Sequence, residues 1–203
     1  MKTAAARRKR AYDSPLRDEQ AAGTRERILA ALAAQLGEAR DDFSIPNVAA
    51  RAGVSLRTVY HHFPNRDSQV RAVADWIEQR LGAADEPESP DQLPEYAARM
   101  YERFRGNESL VRAQLAPGIA EHVRARRRSG RIAAIERCVR DTGAPPADVK
   151  LAAALLKHII SADTGVALID KYALTGAEAT VAGRWLVALI VDALRAGAGP
   201  AAR

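Results

Sequence analysis

The stretch from Ser44 to Pro64 constrains this chain more than any other, because it dictates two short helices and the turn that joins them. Ser44 is placed to cap the first, and Pro46 falls in its first turn, where a missing N–H costs nothing. Val48, Ala49 and Ala52 make its inward face, and Gly53 ends it. Ser55 caps the second, Val59 points inward, and the Phe63-Pro64 bond stops the helix by His62. Two short helices that cross steeply need a tiny residue where their backbones approach, which Ala49 supplies. They also need a residue tolerant of positive φ in the turn, Gly53, and an apolar residue returning from the second helix, Val59. This is helix-turn-helix spacing. The opposite face of the second helix, with Arg57, Tyr60 and His61, fits a DNA major groove. Spacing alone fits an inert helical hairpin equally well.

The rest of the chain reads as helical. Alanine occupies 43 of 203 positions and aromatics make up 5%, which excludes an all-β fold. Ile28, Leu32 and Leu36 predict a helix that Thr24 caps and Gly37 ends. After Asn65 a longer helix runs on Val70, Val73, Ile77 and Leu81. Gly82 to Pro94 holds three prolines, a glycine and four acids and reads as a linker. Beyond it, Ala97, Met100, Tyr101 and Phe104 form one stripe. Leu110, Val111 and Leu115 form a short one, and Ile119 to Val139 a pair or a kinked run around Ser129-Gly130. Two long helices close the chain. Pro145-Pro146 opens the first, with Leu151, Leu155, Ile159, Ala162, Val166 and Ile169 on one side and Ala152, Leu156 and Ile160 on another. The last, about Gly176 to Ala196, carries Val181, Trp185, Leu186, Leu189, Ile190 and Leu194 around most of its girth.

The expected organisation is therefore all-α, with about nine helices: a basic disordered arm over 1–23, a helix-turn-helix domain over 24–81, a linker over 82–94, a second helical domain over 95–196, and a tail over 197–203. The formal net charge is +6, and 14 basic against 10 acidic residues fall before Ala84, which favours an anionic partner. Lone Cys138 forms no intrachain disulfide and reads as a small buried hydrophobe of a reducing compartment. The longest strongly apolar stretch, Trp185 to Val191, is far short of a bilayer span, and no apolar run follows the basic start, so a cytoplasmic chain without membrane contact is expected.

The string Ser44-Ile45-Pro46-Asn47-Val48-Ala49-Ala50-Arg51-Ala52-Gly53-Val54-Ser55, followed by Thr58-Val59-Tyr60-His61-His62-Phe63-Pro64-Asn65-Arg66-Asp67, resembles the DNA-binding domain of TetR-family transcriptional regulators over about residues 25 to 81. The resemblance implies phosphate contacts from Ser44, from Thr58, Tyr60 and His62, and from Arg66. Ser55 belongs to the same surface. Base reading falls to Leu56, Arg57 and His61, with Arg57 able to pair with guanine O6 and N7 and Leu56 able to touch a thymine methyl. Where the family usually places leucine soon after the acidic residue, this chain has Gln69. The family also implies a homodimer through the two C-terminal helices, a palindromic double-stranded DNA operator and release by a small-molecule effector.

Other constellations carry less. Arg7-Arg8-Lys9-Arg10 reads as a solubilising tail ahead of a minor-groove arm. Asp41-Asp42 reads as a solvated turn, and the cluster Arg124, Arg126, Arg127, Arg128 and Arg131 as an exposed helix face ahead of an acidic-effector site. The four histidines show no ligand spacing, so no metal and no cofactor are expected. Paired catalytic groups are missing, so the chain reads as no enzyme. Met100, Tyr101, Phe104 and His158 are the candidates for an effector cavity, His158 because it interrupts an apolar surface, although core packing explains most of them as well. The alternatives to a ligand-released repressor are a constitutive DNA-binding protein without effector and a helical enzyme or carrier.

Overall fold

The computed structural model describes residues 15–39, 43–82, 85–122 and 130–201. Ten α-helices have both ends among them, residues 119–122 are also helical, and there is no strand: α1 (Pro15–Ala39), α2 (Ile45–Ala52), α3 (Leu56–His62), α4 (Arg66–Leu81), α5 (Leu93–Phe104), α6 (Glu108–Gln114), α7 (Gly130–Arg140), α8 (Pro146–Ile159), α9 (Ala162–Asp170) and α10 (Gly176–Arg195). A single 3-10 turn, Pro90–Gln92, precedes α5. The expectations for Arg7 to Arg10, for Asp41-Asp42 and for Arg124 to Arg128 lie outside the described residues.

Helix α1 is longer than its apolar stripe predicts. Ile28, Leu32 and Leu36 are buried as expected, joined by Leu29. The helix nonetheless starts at Pro15, so residues 15–23 are helix rather than disordered arm, and Thr24 lies inside it rather than at a cap. Leu16 to Gly23 are exposed, so no apolar period marks them. Their alanines, glutamate, glutamine and arginine favour helix, and Pro15 suits a first turn.

Gly37 does not end α1 either. It is buried where α1 crosses the start of α6, and a Cβ there would stand 2.5 Å from the backbone oxygen of Ser109. Gly37→Ala is therefore expected to force the two helices apart, at a cost of about 1–3 kcal/mol. The thermal midpoint should fall by about 3–10 °C. An unchanged midpoint in calorimetry would contradict the close approach.

Helix α4 joins the first four helices to the rest. At its start Asn65 and Ser68 form a capping box, with Ser68 N–H donating to Asn65 Oδ1 at 2.9 Å. At its end the Arg103 guanidinium, on α5, donates to the carbonyl oxygens of Leu81 (Nη2 at 2.6 Å) and Gly82. These carbonyls have no partner within the helix, and a cation there also opposes the negative end of its dipole. The connection is shorter than 82–94, because ordered turns resume at Pro90 and both Pro87 and Pro90 are buried. Cys138, on α7, is buried against the Pro87 carbonyl.

The second expected long helix is two helices. The apolar pattern continues through residues 159–162, but the axis bends by 56° between α8 and α9. Ser161 takes extended backbone angles and its Oγ accepts the Thr164 N–H at 3.2 Å, starting a new helix. The Tyr101 hydroxyl donates to the carbonyl of Ile159 at the break. Helix α10 lies along α5 and buries Ala179, Gly183, Val187, Val191 and Leu194. The tail returns to the protein: Ala201 N–H donates to buried Asp148 at 2.6 Å. No single described helix is long and apolar enough to cross a membrane.

Candidate nucleic-acid interface

The turn between α2 and α3 is built as its residues require. Gly53 has φ 65° and ψ 39°, the left-handed region that a Cβ disfavours. The N–H groups of Gly53 and Val54 donate to the carbonyls of Ala50 and Ala49, at 3.2 and 3.0 Å, which closes the end of α2. Ala49 and Val59 are buried. Ser55 caps α3, accepting the Thr58 N–H at 3.1 Å, and its Oγ lies 2.9 Å from Thr58 Oγ1. The seven-residue α3 would be marginal alone. Here it is held by its cap, by Val59 and by Phe63, whose ring is buried and whose N–H donates to Val59.

Gln69 answers the question that its departure from leucine raises. It is 2% exposed, and its Nε2 donates to the Phe63 carbonyl at 3.1 Å. That carbonyl lies just beyond α3, so the glutamine side chain ties the end of α3 to the first turn of α4. A buried amide with a partner is tolerated where one without would cost about 1–3 kcal/mol.

The outward face of α3 carries the expected side chains together. Arg57 and His61 are exposed, and Leu56 and Tyr60 stand 46% and 49% exposed, more than an apolar or aromatic side chain on a folded helix needs to be. Ser44 and Ser55 are exposed at the starts of α2 and α3, Thr58 and His62 are half-buried, and Arg66 is exposed at the start of α4. None of the nine is fully buried: seven are exposed, and Thr58 and His62 are half-buried. Ser44 caps α2 by position alone: its hydroxyl makes no capping bond, while its N–H donates to Gln35 at 3.0 Å. The Arg66 guanidinium lies over the Phe43 ring at 4.2 Å, which fixes its stem against the α1–α2 connection.

Two basic residues that motif spacing does not mark shape this surface. Arg25, on α1, lies 5.3 Å over the Phe63 ring. Arg27 donates to the Ala52 carbonyl at the end of α2. Both act across more than two dozen residues of sequence, so no local pattern signals them. Arg51, by contrast, is engaged with Glu38 through two hydrogen bonds of 2.9 Å, which hold the Glu38 carboxyl below its usual range.

Burial, and then the charges of His61 and Arg25, hold the His62 imidazole below its ordinary value. An unfolded chain thus takes up this proton at higher pH than the folded one does. The stability this group contributes is complete above about pH 6.5 and is lost as pH falls below it. Urea midpoints should drop on acidification in that window, and more shallowly in His62→Gln. Equal slopes would remove the effect.

The effector candidates are placed differently. Met100, Tyr101 and Phe104 are buried, but in packed core. The Tyr101 and Phe104 rings meet edge to face, with centroids 5.9 Å apart. Gly165 and Gly183 press on them, so that a Cβ at Gly165 would come within 2.8 Å of Phe104. Burial pushes the Tyr101 hydroxyl up to about 12, keeping it a donor. His158 is exposed rather than buried, which removes the reason for singling it out. Among the described residues, no three His, Cys, Asp or Glu side chains gather as a metal site.

The family model described as bacterial regulatory proteins, tetR family, matches residues 28–73, which span the α1 core, α2, the turn, α3 and the first half of α4. Among solved structures, BioQ of Mycobacterium smegmatis is similar at 24% identity and a TM-score of 0.40, over 84% of this chain and 97% of that one. No curated protein matches.

Proposed function

We propose, for a chain whose residues 28–73 match the model of the TetR family of regulators, a repressor of that family that binds a palindromic operator as a homodimer and leaves it when a small molecule binds. The observation that carries the reading is the outward face of α3, where Leu56, Arg57, Tyr60 and His61 stand exposed on a helix whose other side is anchored. In this reading Arg57, Leu56 and His61 read base edges. Ser44, Ser55, Thr58, Tyr60, His62 and Arg66 fix the register against phosphates, setting affinity and salt dependence without carrying sequence information.

Dimerisation is supported by a second surface. On α10, Val181 and Trp185 are 68% and 63% exposed, with Leu186 and Leu189 beside them, and on α8 Leu151 and Leu155 are also exposed. Large apolar side chains exposed one turn apart along a helix in this way mark an association site. A two-fold pairing of α8 and α10 with their copies would bury it and present two α3 helices to one duplex. An effector that favours a dimer with its α3 helices wrongly spaced would weaken DNA binding by its differential affinity for the two forms, about 1–3 kcal/mol.

The regulator acts by binding in the cytoplasm, without catalysis, metal or membrane. Gel retardation tests the reading: a duplex selected by the protein from a random pool should be shifted by the dimer at concentrations that leave a scrambled duplex unshifted. Equal retardation of both duplexes would refute sequence-specific binding.

A further inference from the structure

The expected effector residues are packed, but a groove of about 680 Å³ opens elsewhere, between α7 and α8. Its apolar lining is aliphatic: Ala144, Pro146, Val149, Ala153 and Ala154, with no aromatic ring. Its charged lining is Glu136, Arg140, Lys150 and Lys157. Glu136 is already spent on Lys157, which donates to it across the groove. Arg140 and Lys150 are exposed, and no ion pair or hydrogen bond engages the Lys150 ammonium among the described residues. The groove thus offers three cations against one carboxylate, Glu136, which feels both Lys157 and Arg140, and an aliphatic wall, within the volume range of small-molecule sites.

We propose that this groove binds a carboxylate-headed aliphatic molecule, its anion between Arg140 and Lys150 and its chain along Val149, Ala153 and Ala154. Neither a neutral nor a cationic amphiphile satisfies both ends: the first does nothing to balance the groove's excess of cations, and the second adds to it. The claim concerns binding alone and does not depend on the operator reading.

Isothermal titration of the full chain, without DNA, compares decanoate with decanol and decyltrimethylammonium. Decanoate should bind, and the other two at least about tenfold more weakly, the worth of one or two charge-assisted hydrogen bonds. Arg140→Gln with Lys150→Gln changes two exposed side chains, and should lower decanoate affinity about tenfold while leaving decanol unchanged. No decanoate binding, equal affinity for decanol, or a double variant that binds decanoate as the parent does would overturn the proposal.

Discussion

Arg57→Ala is expected to remove specific operator binding while leaving the protein folded and dimeric. A bidentate guanidinium–guanine pair discriminates by about 1–3 kcal/mol, and a dimer makes it in both half-sites. The combined loss is then about 2–6 kcal/mol, or about thirtyfold to ten-thousandfold in affinity. Arg57 is exposed and belongs neither to the cap formed by Ser55 nor to the buried contact of Val59, so its removal should not unfold α3. Retardation of operator and scrambled duplexes should converge in the variant. A variant that still prefers the operator would move base reading away from α3. Arg66→Gln provides the contrast, because a phosphate contact contributes to every sequence: it should weaken both duplexes alike and lower the slope of log K against log salt.

The second large effect is expected at Trp185. It stands 63% exposed in the single chain, with Val181 one helical turn before it and Leu189 one turn after. If α10 pairs with its copy, Trp185 enters the interface from both protomers, and aromatic anchors at interface centres account for about 2–8 kcal/mol when truncated. Trp185→Arg also brings like charges together across a two-fold axis. At about 4 kcal/mol the dimer would dissociate about a thousandfold more readily. Sedimentation equilibrium should then show a monomer where the parent is a dimer, with the α-helical signal retained. Operator binding should fall as well, since one α3 reads only one half-site. A Trp185→Arg protein that remains dimeric would place the interface elsewhere.

The sequence was most informative where the constraint is local. Ala49, Gly53, Ser55 and Val59 each meet a demand set within a few residues, for close approach, left-handed backbone, a cap or a buried knob, and each occupies the place its spacing predicts. Residues 15–23 of α1 were illegible for the opposite reason: exposed on all sides, they carry propensity but no period. The bend at Ser161 was hidden because apolar residues continue through it, and the two polar side chains that start α9 weigh little in a hydrophobic pattern.

On α8 both faces are apolar, so periodicity could not say which one meets the protein's own interior. Ala152, Ala153 and Leu156 face inward, and the larger Leu151 and Leu155 face out. His158 was misjudged by the same ambiguity, because an apolar neighbourhood was read as burial. The contacts of Arg25, Arg27 and Arg103 join residues far apart in sequence, and only the assembled helices bring them together.

Selection of bound duplexes from a random pool tests most directly whether α3 reads DNA in two copies. The recovered sequences should share an inverted repeat whose half-sites are separated by one helical turn, about 34–36 Å between centres, or a multiple of it. The half-sites should carry a guanine whose enrichment disappears when the pool is selected with Arg57→Ala. Recovery of no common sequence, or of an asymmetric site indifferent to Arg57, would contradict the account.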